Sequence, residues 1–166
     1  AEGSSVGVAI LPDGDIAPIF RRNAVDRGQR VLVERYIKGR ELTCAVLDEA
    51  PLAVTEIVPR EGFYDYRAKY TDGCAEHVVP AAIPASVYDR VMSWALLAHR
   101  ALGCRGVSRA DFRWDEEEGL DGLVALEVNT QPGMTPLSLV PEQAAHRGIS
   151  FGDLVERLVA QARCDA

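Results

Sequence analysis

The strongest constraint on the fold of this chain is a pair of alternating segments around an acidic turn. Gly106–Trp114 and Leu123–Thr130 read as strands, and the residues between them, Asp115–Gly122, are rich in Asp, Glu and Gly. We interpret the two segments as a β-hairpin closed by a solvated turn.

The register of this hairpin follows from the position of its turn. In a simple hairpin, opposed residues have a constant sum of residue numbers, and the pairs Asp111–Glu127 and Arg109–Asn129 share one sum whose midpoint lies inside the turn. Alternate residues of a strand share a face, so all four side chains are expected on one face. The sequence therefore predicts two facing carboxylates with an amide next in line, provided that no bulge shifts the register.

Two facing carboxylates need a partner, because opposed like charges destabilise a sheet. A divalent cation would offset them, and two carboxylates with an amide oxygen suit Mg²⁺ or Mn²⁺ better than Zn²⁺. Mg²⁺ commonly adds substrate phosphates, which points to a nucleotide. The alternative is a solvated hairpin face on which Arg109 and Arg113 neutralise the acids, and spacing alone leaves both interpretations open.

Further strands are predicted in the first half of the chain. Val31–Ile37 reads as a strand, while Glu41–Leu47 and Leu52–Val58 each place apolar residues on one face around a turn at 48–51. The last two segments therefore predict a second hairpin, with Leu42, Cys44 and Val46 on one face of the first strand and Leu52, Val54 and Val58 on one face of the second.

Two helices are predicted in the second half. An apolar stripe over Pro84–Leu102 predicts a helix that Pro84 opens and Gly103 closes. Ser150 is expected to cap the last helix, with Ile149 set against Leu154. Mostly antiparallel strands with separate helices indicate the α+β class.

Three segments without periodicity are candidates for contacts with a ligand. Arg60–Pro80 predicts a long loop of the kind that forms a lid, although it could equally be a loop anchored to its own domain. Gly3–Gly7 could present backbone N–H groups to a phosphate, and Gly133 in Asn129–Thr135 could direct an N–H toward an oxyanion. Each turn taken alone is more typical of a simple connection.

Composition narrows the function classes. The 166 residues are 48% hydrophobic with a net charge of −7, which suits a globular domain and argues weakly against a nucleic-acid partner. No apolar run approaches the ~20 residues of a membrane helix. The start lacks Met and a signal peptide, which suggests a processed or excised piece. Four cysteines without metal-pair spacing are expected to be free thiols in a reducing cytoplasm.

Taken together, the motifs resemble the D-alanine–D-alanine ligases of the ATP-grasp superfamily. The similar segments cover nearly the whole chain in the family's order: EGSSVGV, VLVERYIKGRELTCAVL, FYDYRAKYT, GCRGVSRADF, LEVNTQPGMTPLSLVP and ISFGDLVERLV. The resemblance implies an ATP-grasp C-terminal lobe at 34–166, a largely antiparallel sheet flanked by helices. It also implies that residues 1–33 end the smaller ATP-clamp lobe.

The resemblance implies a nucleotide site and a metal site. The residues that would hold ATP are Glu34, Arg35, Tyr36 and Ile37 at adenine, Glu41 at ribose, and Ser5 and Lys69 at the phosphates. Two Mg²⁺ or Mn²⁺ ions would be held by Asp111, Glu127 and Asn129.

It also implies substrate contacts. Arg109 and the Gly133 N–H would stabilise the acyl-phosphate and tetrahedral states, and Ser4 and Tyr70 would orient the substrate and close the lid. Ser138 and Leu139 would bind the carboxylate of a second D-alanine. A homodimeric cytoplasmic enzyme of cell-wall synthesis is implied, with D-alanine and ATP as partners and with neither nucleic acid nor membrane.

One departure from the family pattern affects activity. Family members carry an N-terminal domain with a glutamate that orients the first D-alanine, and a phosphate-binding lysine just before this segment, and the chain contains neither. This chain alone is therefore expected to be inactive, and a non-catalytic nucleotide-binding module is one alternative. Others are a ligase for D-lactate or D-serine, against which Tyr70 argues, and a metal hydrolase that needs no ATP.

Overall fold

The computed structural model of the chain describes residues 10–11, 28, 30–59 and 75–164. It confirms the α+β class, with five strands and three helices in the described part. The strands are β1 Arg40–Leu47, β2 Ala50–Pro59, β3 Ala75–Val78, β4 Val107–Trp114 and β5 Leu123–Asn129. The helices are α1 Ala85–Ala101, α2 Leu139–His146 and α3 Phe151–Gln161, and a short 3₁₀ segment spans Glu116–Gly122.

The five strands form one antiparallel sheet in the order β3-β2-β1-β4-β5. Strand β1 is central and is buried on both faces over most of its length. One face packs against α1 through Leu42, Cys44, Val46, Phe112 and Trp114. Of the described elements, α2 and α3 pack against the other face, at one end around Ala45, Leu47 and Leu52. The remaining end of that face carries the polar residues predicted to form the site.

The β1–β2 hairpin is confirmed, with a tighter turn than predicted. Asp48 and Glu49 form the turn with φ values of 52° and 64°, a backbone conformation that suits a two-residue hairpin. A bulge shifts the register between Cys44 and Val46. The prediction that Leu52, Val54 and Val58 share one face of β2 is therefore wrong, because the bulge places Val54 in the α1 core and Leu52 in the α2–α3 core.

Helix α1 is confirmed, with one residue misassigned. Pro84 precedes its first turn, and Gly103 follows its end with a φ of 62°. Leu102 does not belong to the buried stripe, since it is 62% exposed. His99 takes the buried position instead, and its Nδ1 lies 2.8 Å from the Ser108 hydroxyl of β4. A histidine can occupy the core because this polar contact satisfies its ring.

The predicted strand at Val31–Ile37 is wrong, because these residues form no ladder. Both edges of the neighbouring strand β1 are already paired, by β2 and β4, so among the described residues no edge is left beside it. The apolar side chains of Val31, Leu32 and Val33 are exposed, and Leu32 reaches 80%. Apolar sequence pattern alone does not make a strand where a pairing partner is missing.

The predicted loop Arg60–Pro80 is wrong at its end. Ala75–Val78 forms edge strand β3, which pairs with β2 from Glu56 to Pro59. Four residues are too few to show an alternation, so the ladder reveals this strand and the sequence pattern does not. Residues 60–74 lie outside the described part.

The C-terminal region contains a helix that the pattern did not predict. Leu139–His146 forms α2, with Ser138 at its N-cap position and Pro141 in its first turn, where proline is tolerated. The cap of α3 is confirmed, since Ser150 Oγ accepts from the Asp153 N–H at 3.1 Å and partly buried Ile149 joins buried Leu154 in one apolar cluster. None of the helices in the described part is long and apolar enough to cross a membrane.

Candidate functional site

Strand β4 separates the core from the site. Its burial alternates residue by residue, with Ser108, Ala110, Phe112 and Trp114 turned to α1 and the others turned to the half-covered face. Asp111 pairs with Glu127, and Arg109 pairs with Asn129, so the predicted register is confirmed. A bulge follows Asp111 and shifts only the pairs nearer the turn.

The Asp111 carboxylate is the most constrained group on this face. Arg109 donates to it twice, from Nε to Oδ1 at 2.8 Å and from Nη2 to Oδ2 at 2.7 Å. Thr43 of β1 donates its hydroxyl to Oδ1 at 2.6 Å. Only 14% of the Asp111 side chain is exposed. This partly buried, two-point ion pair fixes the carboxylate in one orientation.

The other two predicted metal ligands are more accessible. Glu127 is exposed and makes no hydrogen bond or ion pair with any described residue, and Asn129 Oδ1 accepts from the Gln131 N–H at 2.9 Å. Arg113, which the alternative interpretation assigned to neutralising these acids, contacts Glu41 instead. Arg109 therefore offsets the charge of Asp111, whereas the neighbouring Glu127 carboxylate has no partner among the described residues.

The donor set fits an oxygen-seeking divalent cation. A carboxylate has about four lone-pair sites, and the contacts above use three of those on Asp111, so the described residues leave one site on Oδ2 unused. Within residues 30–59 and 75–164 no group of three or more His, Cys, Asp or Glu is placed to hold a metal. Further ligands would have to be amide oxygens, water or phosphate, as Mg²⁺ accepts.

A cleft of about 390 Å³ opens beside this face and is lined by Tyr36, Glu41, Arg113 and neighbouring residues of β1 and β2. Arg113 organises one wall, since it donates to the Ile37 carbonyl at 3.1 Å, to the Tyr36 hydroxyl at 3.1 Å and to Glu41 at 3.4 Å. Its guanidinium also lies 5.5 Å from the centre of the Tyr36 ring. The structure thus joins the predicted adenine and ribose residues through one arginine.

Arg113 was not predicted to have this role. The sequence signal was its place on the same strand face as Arg109 and Asp111, yet its partners lie on a segment of irregular backbone that no pattern locates. Glu34 and Arg35 are exposed and do not line the cleft.

Arg40 and Glu56 close the far side of the cleft. Arg40 donates twice to Glu56, at 2.6 and 2.5 Å, and once to the Ala82 carbonyl at 2.9 Å. The Glu56 hydrogen bond raises the pKa of Arg40. This pair was also missed, because its two members come from different strands of a hairpin whose register carries a bulge.

The turn after β5 brings Gly133 to Ser138. The Ser138 hydroxyl accepts from the Thr135 N–H at 2.9 Å, and the Ser138 N–H donates to the Thr135 carbonyl at 2.9 Å. A Cβ on Gly133 would lie 2.9 Å from Ser138 Oγ, so only glycine fits without a shift. Leu139 begins α2 directly after this turn. Ser4, Ser5, Lys69 and Tyr70 lie outside the described residues.

The described residues thus place the opposed carboxylates Asp111 and Glu127 on one sheet face, beside a cleft and a glycine turn. The sequence model of the D-ala D-ala ligase C-terminus family matches residues 1–160. The chain therefore belongs to this family.

Relatives and solved structures agree with this membership. The D-alanine–D-alanine ligase of Sphingopyxis alaskensis is 58% identical over 165 residues, covering 97% of this chain and 54% of the relative. The ligase of Bacillus anthracis, solved in complex with ATP, is 29% identical with a TM-score of 0.63, covering 77% of this chain and 39% of that one. The VanG D-Ala:D-Ser ligase of Enterococcus faecalis is 37% identical with a TM-score of 0.63, covering 77% and 37%. The chain spans about half the length of the curated relatives it matches.

Proposed function

We propose that this chain is the ATP-grasp part of an enzyme that joins two D-alanine molecules into D-alanyl-D-alanine at the expense of ATP. The observation that carries the proposal is the opposed pair Asp111 and Glu127 on an open sheet face beside the Tyr36–Glu41 cleft, in a chain of this family. Residues 1–33 would complete the smaller ATP-clamp lobe, and residues 34–166 would form the C-terminal lobe.

The nucleotide would lie in the cleft. Adenine would contact the segment Glu34–Ile37, with the ribose hydroxyls on the Glu41 carboxylate, whose position Arg113 holds. Ser5 and Lys69 would contact the phosphates. Tyr36 lines the cleft, and Arg113 donates to both the Tyr36 hydroxyl and the Ile37 carbonyl, which favours their part of this assignment.

Two Mg²⁺ or Mn²⁺ ions would be held by Asp111, Glu127 and Asn129. Bound there, they would supply charge neutralisation on the β- and γ-phosphate oxygens. The residues of the chain set up this role, since Thr43 and Arg109 fix Asp111 while Glu127 remains available.

The reaction would run in two steps. A carboxylate oxygen of the first D-alanine attacks the γ-phosphorus of ATP, and ADP leaves, giving an acyl phosphate. The amine of the second D-alanine then attacks the acyl carbon, phosphate leaves and the amine loses a proton. Arg109 and the Gly133 N–H would stabilise the negative charge that develops on oxygen in both steps.

The second D-alanine would be held at the start of α2. Ser138 and Leu139 would bind its carboxylate, and the hydroxyl of Ser138 is already fixed toward Gly133 by Thr135. Ser4 and Tyr70 would orient the substrate, and the part of the predicted lid Arg60–Pro80 that precedes β3 would close over it. The enzyme would act as a homodimer in the cytoplasm, supplying cell-wall synthesis.

A second candidate is a ligase that uses D-serine or D-lactate as the second substrate. The similarity to the VanG D-Ala:D-Ser ligase, at 37% identity, favours D-serine over D-lactate. Both candidates share the first step and differ only at the acceptor site.

One experiment separates these candidates. The complete natural protein is incubated with ATP, Mg²⁺ and D-alanine, alone and with D-serine or D-lactate, and the products are identified by mass spectrometry. We expect D-alanyl-D-alanine and one ADP for each dipeptide. A mixed product that dominates at equal acceptor concentrations would support the second candidate, and ATP hydrolysis without ligation would refute both.

A further inference from the structure

Thr43 lies on the central strand β1 and contacts Asp111, one of the predicted cation ligands. It is fully buried, it sits directly opposite Asp111 in the β1–β4 ladder, and it shares the polar face of the sheet. Its hydroxyl lies 2.6 Å from Asp111 Oδ1 and 3.3 Å from the Ala110 carbonyl. The shorter contact, to a carboxylate, is the stronger one.

This contact determines which lone pairs of Asp111 a cation can use. Thr43 and Arg109 Nε occupy Oδ1, and Arg109 Nη2 occupies one site on Oδ2. The remaining lone pair is on Oδ2. Arg109 is itself a cation and competes with a metal for the same carboxylate, whereas the neutral hydroxyl of Thr43 can stay in place when a metal binds. Thr43 is therefore the contact that can orient Asp111 in both states.

The backbone of Thr43 is held by a buried side chain of α2. Gln143 is fully buried, its Oε1 accepts from the Ala45 N–H at 2.8 Å, and its Nε2 donates to the Thr43 carbonyl at 3.3 Å. The bulge between Cys44 and Val46 leaves Ala45 without a partner in the β1–β2 ladder. The Gln143 side-chain oxygen accepts from its N–H instead. Gln143 thus ties the helix that starts after Ser138 to the strand that supports Asp111.

We propose that Thr43 is a positioning residue for the reaction, whose hydroxyl, fixed through Gln143, directs Asp111 Oδ2 toward Glu127 and a shared divalent cation. The proposal rests on the cation site of the proposed function. A side chain that orients a metal ligand is commonly worth 10- to 100-fold in metal affinity or activity.

The chain contains a matched control for this idea. Thr55 pairs directly with Thr43 across the β1–β2 ladder and is equally buried, but its hydroxyl has no hydrogen-bond partner among the described residues. Replacing Thr55 with valine makes the same change in shape and polarity one strand away. Thr55→Val should leave the contacts of the Asp111 carboxylate unchanged. It should not lower the free energy of unfolding, because burying a hydroxyl without a hydrogen bond destabilises the folded state.

The test compares Thr43→Val, Thr43→Ser and Thr55→Val in the complete natural protein. Mn²⁺ affinity is measured by electron paramagnetic resonance of free Mn²⁺ with ADP present, at a temperature where circular dichroism shows each variant folded. We expect Thr43→Val to bind Mn²⁺ about tenfold more weakly or worse. Thr43→Ser should restore the affinity, and Thr55→Val should match the wild type.

Two results would overturn the role of Thr43: wild-type Mn²⁺ affinity in Thr43→Val, or an equal loss in Thr55→Val, which would indicate a general packing effect. Absence of Mn²⁺ binding by the wild type would overturn it as well. The proposed function is judged separately, by dipeptide formation in the wild type. If no dipeptide forms, the Mn²⁺ comparison still decides whether Thr43 positions Asp111.

Discussion

The two faces of strand β4 differ in what covers them, although their residues alternate along one segment. Phe112 and Trp114 are packed against α1, so their contribution is burial of apolar surface. Arg109 and Asp111 on the other face are held by directional polar contacts and remain reachable from solvent. Residues that stabilise the fold and residues proposed for the chemistry thus alternate along one strand, so variants on the two faces should fail in different assays.

The largest expected effect is on the open face. Glu127→Gln removes a carboxylate charge without changing shape, and we expect at least a 100-fold loss of ligation in the complete natural protein, comparable to removing one electrostatic stabiliser. The thermal midpoint should stay unchanged, because the described residues give Glu127 no partner. Glu118→Gln, an exposed acid in the turn of the same hairpin, is the matched control. Near-normal turnover in Glu127→Gln would remove Glu127 from the site.

On the covered face, Phe112→Ala should cost about 3–5 kcal/mol in the free energy of unfolding. Phe112 is 1% exposed and lies in the α1 core, so the deletion leaves a cavity. Urea denaturation measures the change, and the KM for ATP at a temperature where the variant is folded should stay close to wild type. A cost below about 1 kcal/mol would show that the core collapses around the gap, and the two faces would then be less distinct than described.

A smaller effect is expected at the cleft. Arg113→Met removes three hydrogen-bond contacts, to Tyr36, Ile37 and Glu41. We expect the KM for ATP to rise about 3- to 10-fold with kcat nearly unchanged. The reason is that a loss of binding that is equal in the ground and transition states raises KM alone. Arg90→Met is the control, because Arg90 lies 5.7 Å over Trp94 in a similar stacking contact on α1. A fall in kcat without a change in KM would place Arg113 in the chemical step instead.

The smallest effect concerns a thiol on the covered face. Burial raises the pKa of Cys44 to about 12, so at neutral pH it is a thiol rather than the nucleophilic thiolate. In a variant whose other three cysteines are serine, a thiol reagent at pH 8 should modify Cys44 no faster than the protein unfolds. Because the unfolded pKa is lower, near 8.5, this thiol also makes the fold less stable as pH rises from about 9 toward 12. Rapid labelling of Cys44 in the folded state would show that α1 does not exclude the reagent from this face.

How far the sequence predicts this structure depends on the kind of signal. The register of Asp111 with Glu127 could be predicted because a regular alternation and a symmetric turn determine it, and the bulge lies nearer the turn. Leu52 was misassigned because a bulge leaves no mark in an alternation of apolar residues. Val31–Ile37 has the composition of a strand but forms no ladder with the described residues, and composition alone does not determine pairing.

The same holds for the site. The residues on one strand face were predictable as a group, whereas the contacts of Arg113 with Ile37 and of Gln143 with Thr43 join segments about 76 and 100 positions apart. Local pattern carries no information at that separation, so only the folded sheet shows that α2 supports the strand beneath Asp111.

We expect Asp111 and Glu127 to share a divalent cation when nucleotide is bound. The most direct test is a crystal structure of the complete natural protein with Mn²⁺ and a non-hydrolysable ATP analogue, with data collected at the manganese absorption edge. We expect an anomalous peak about 2.1 Å from both Asp111 Oδ2 and a Glu127 carboxylate oxygen. An analogue bound in the cleft with no peak between these carboxylates, and with Arg109 still paired to both oxygens of Asp111, would contradict it.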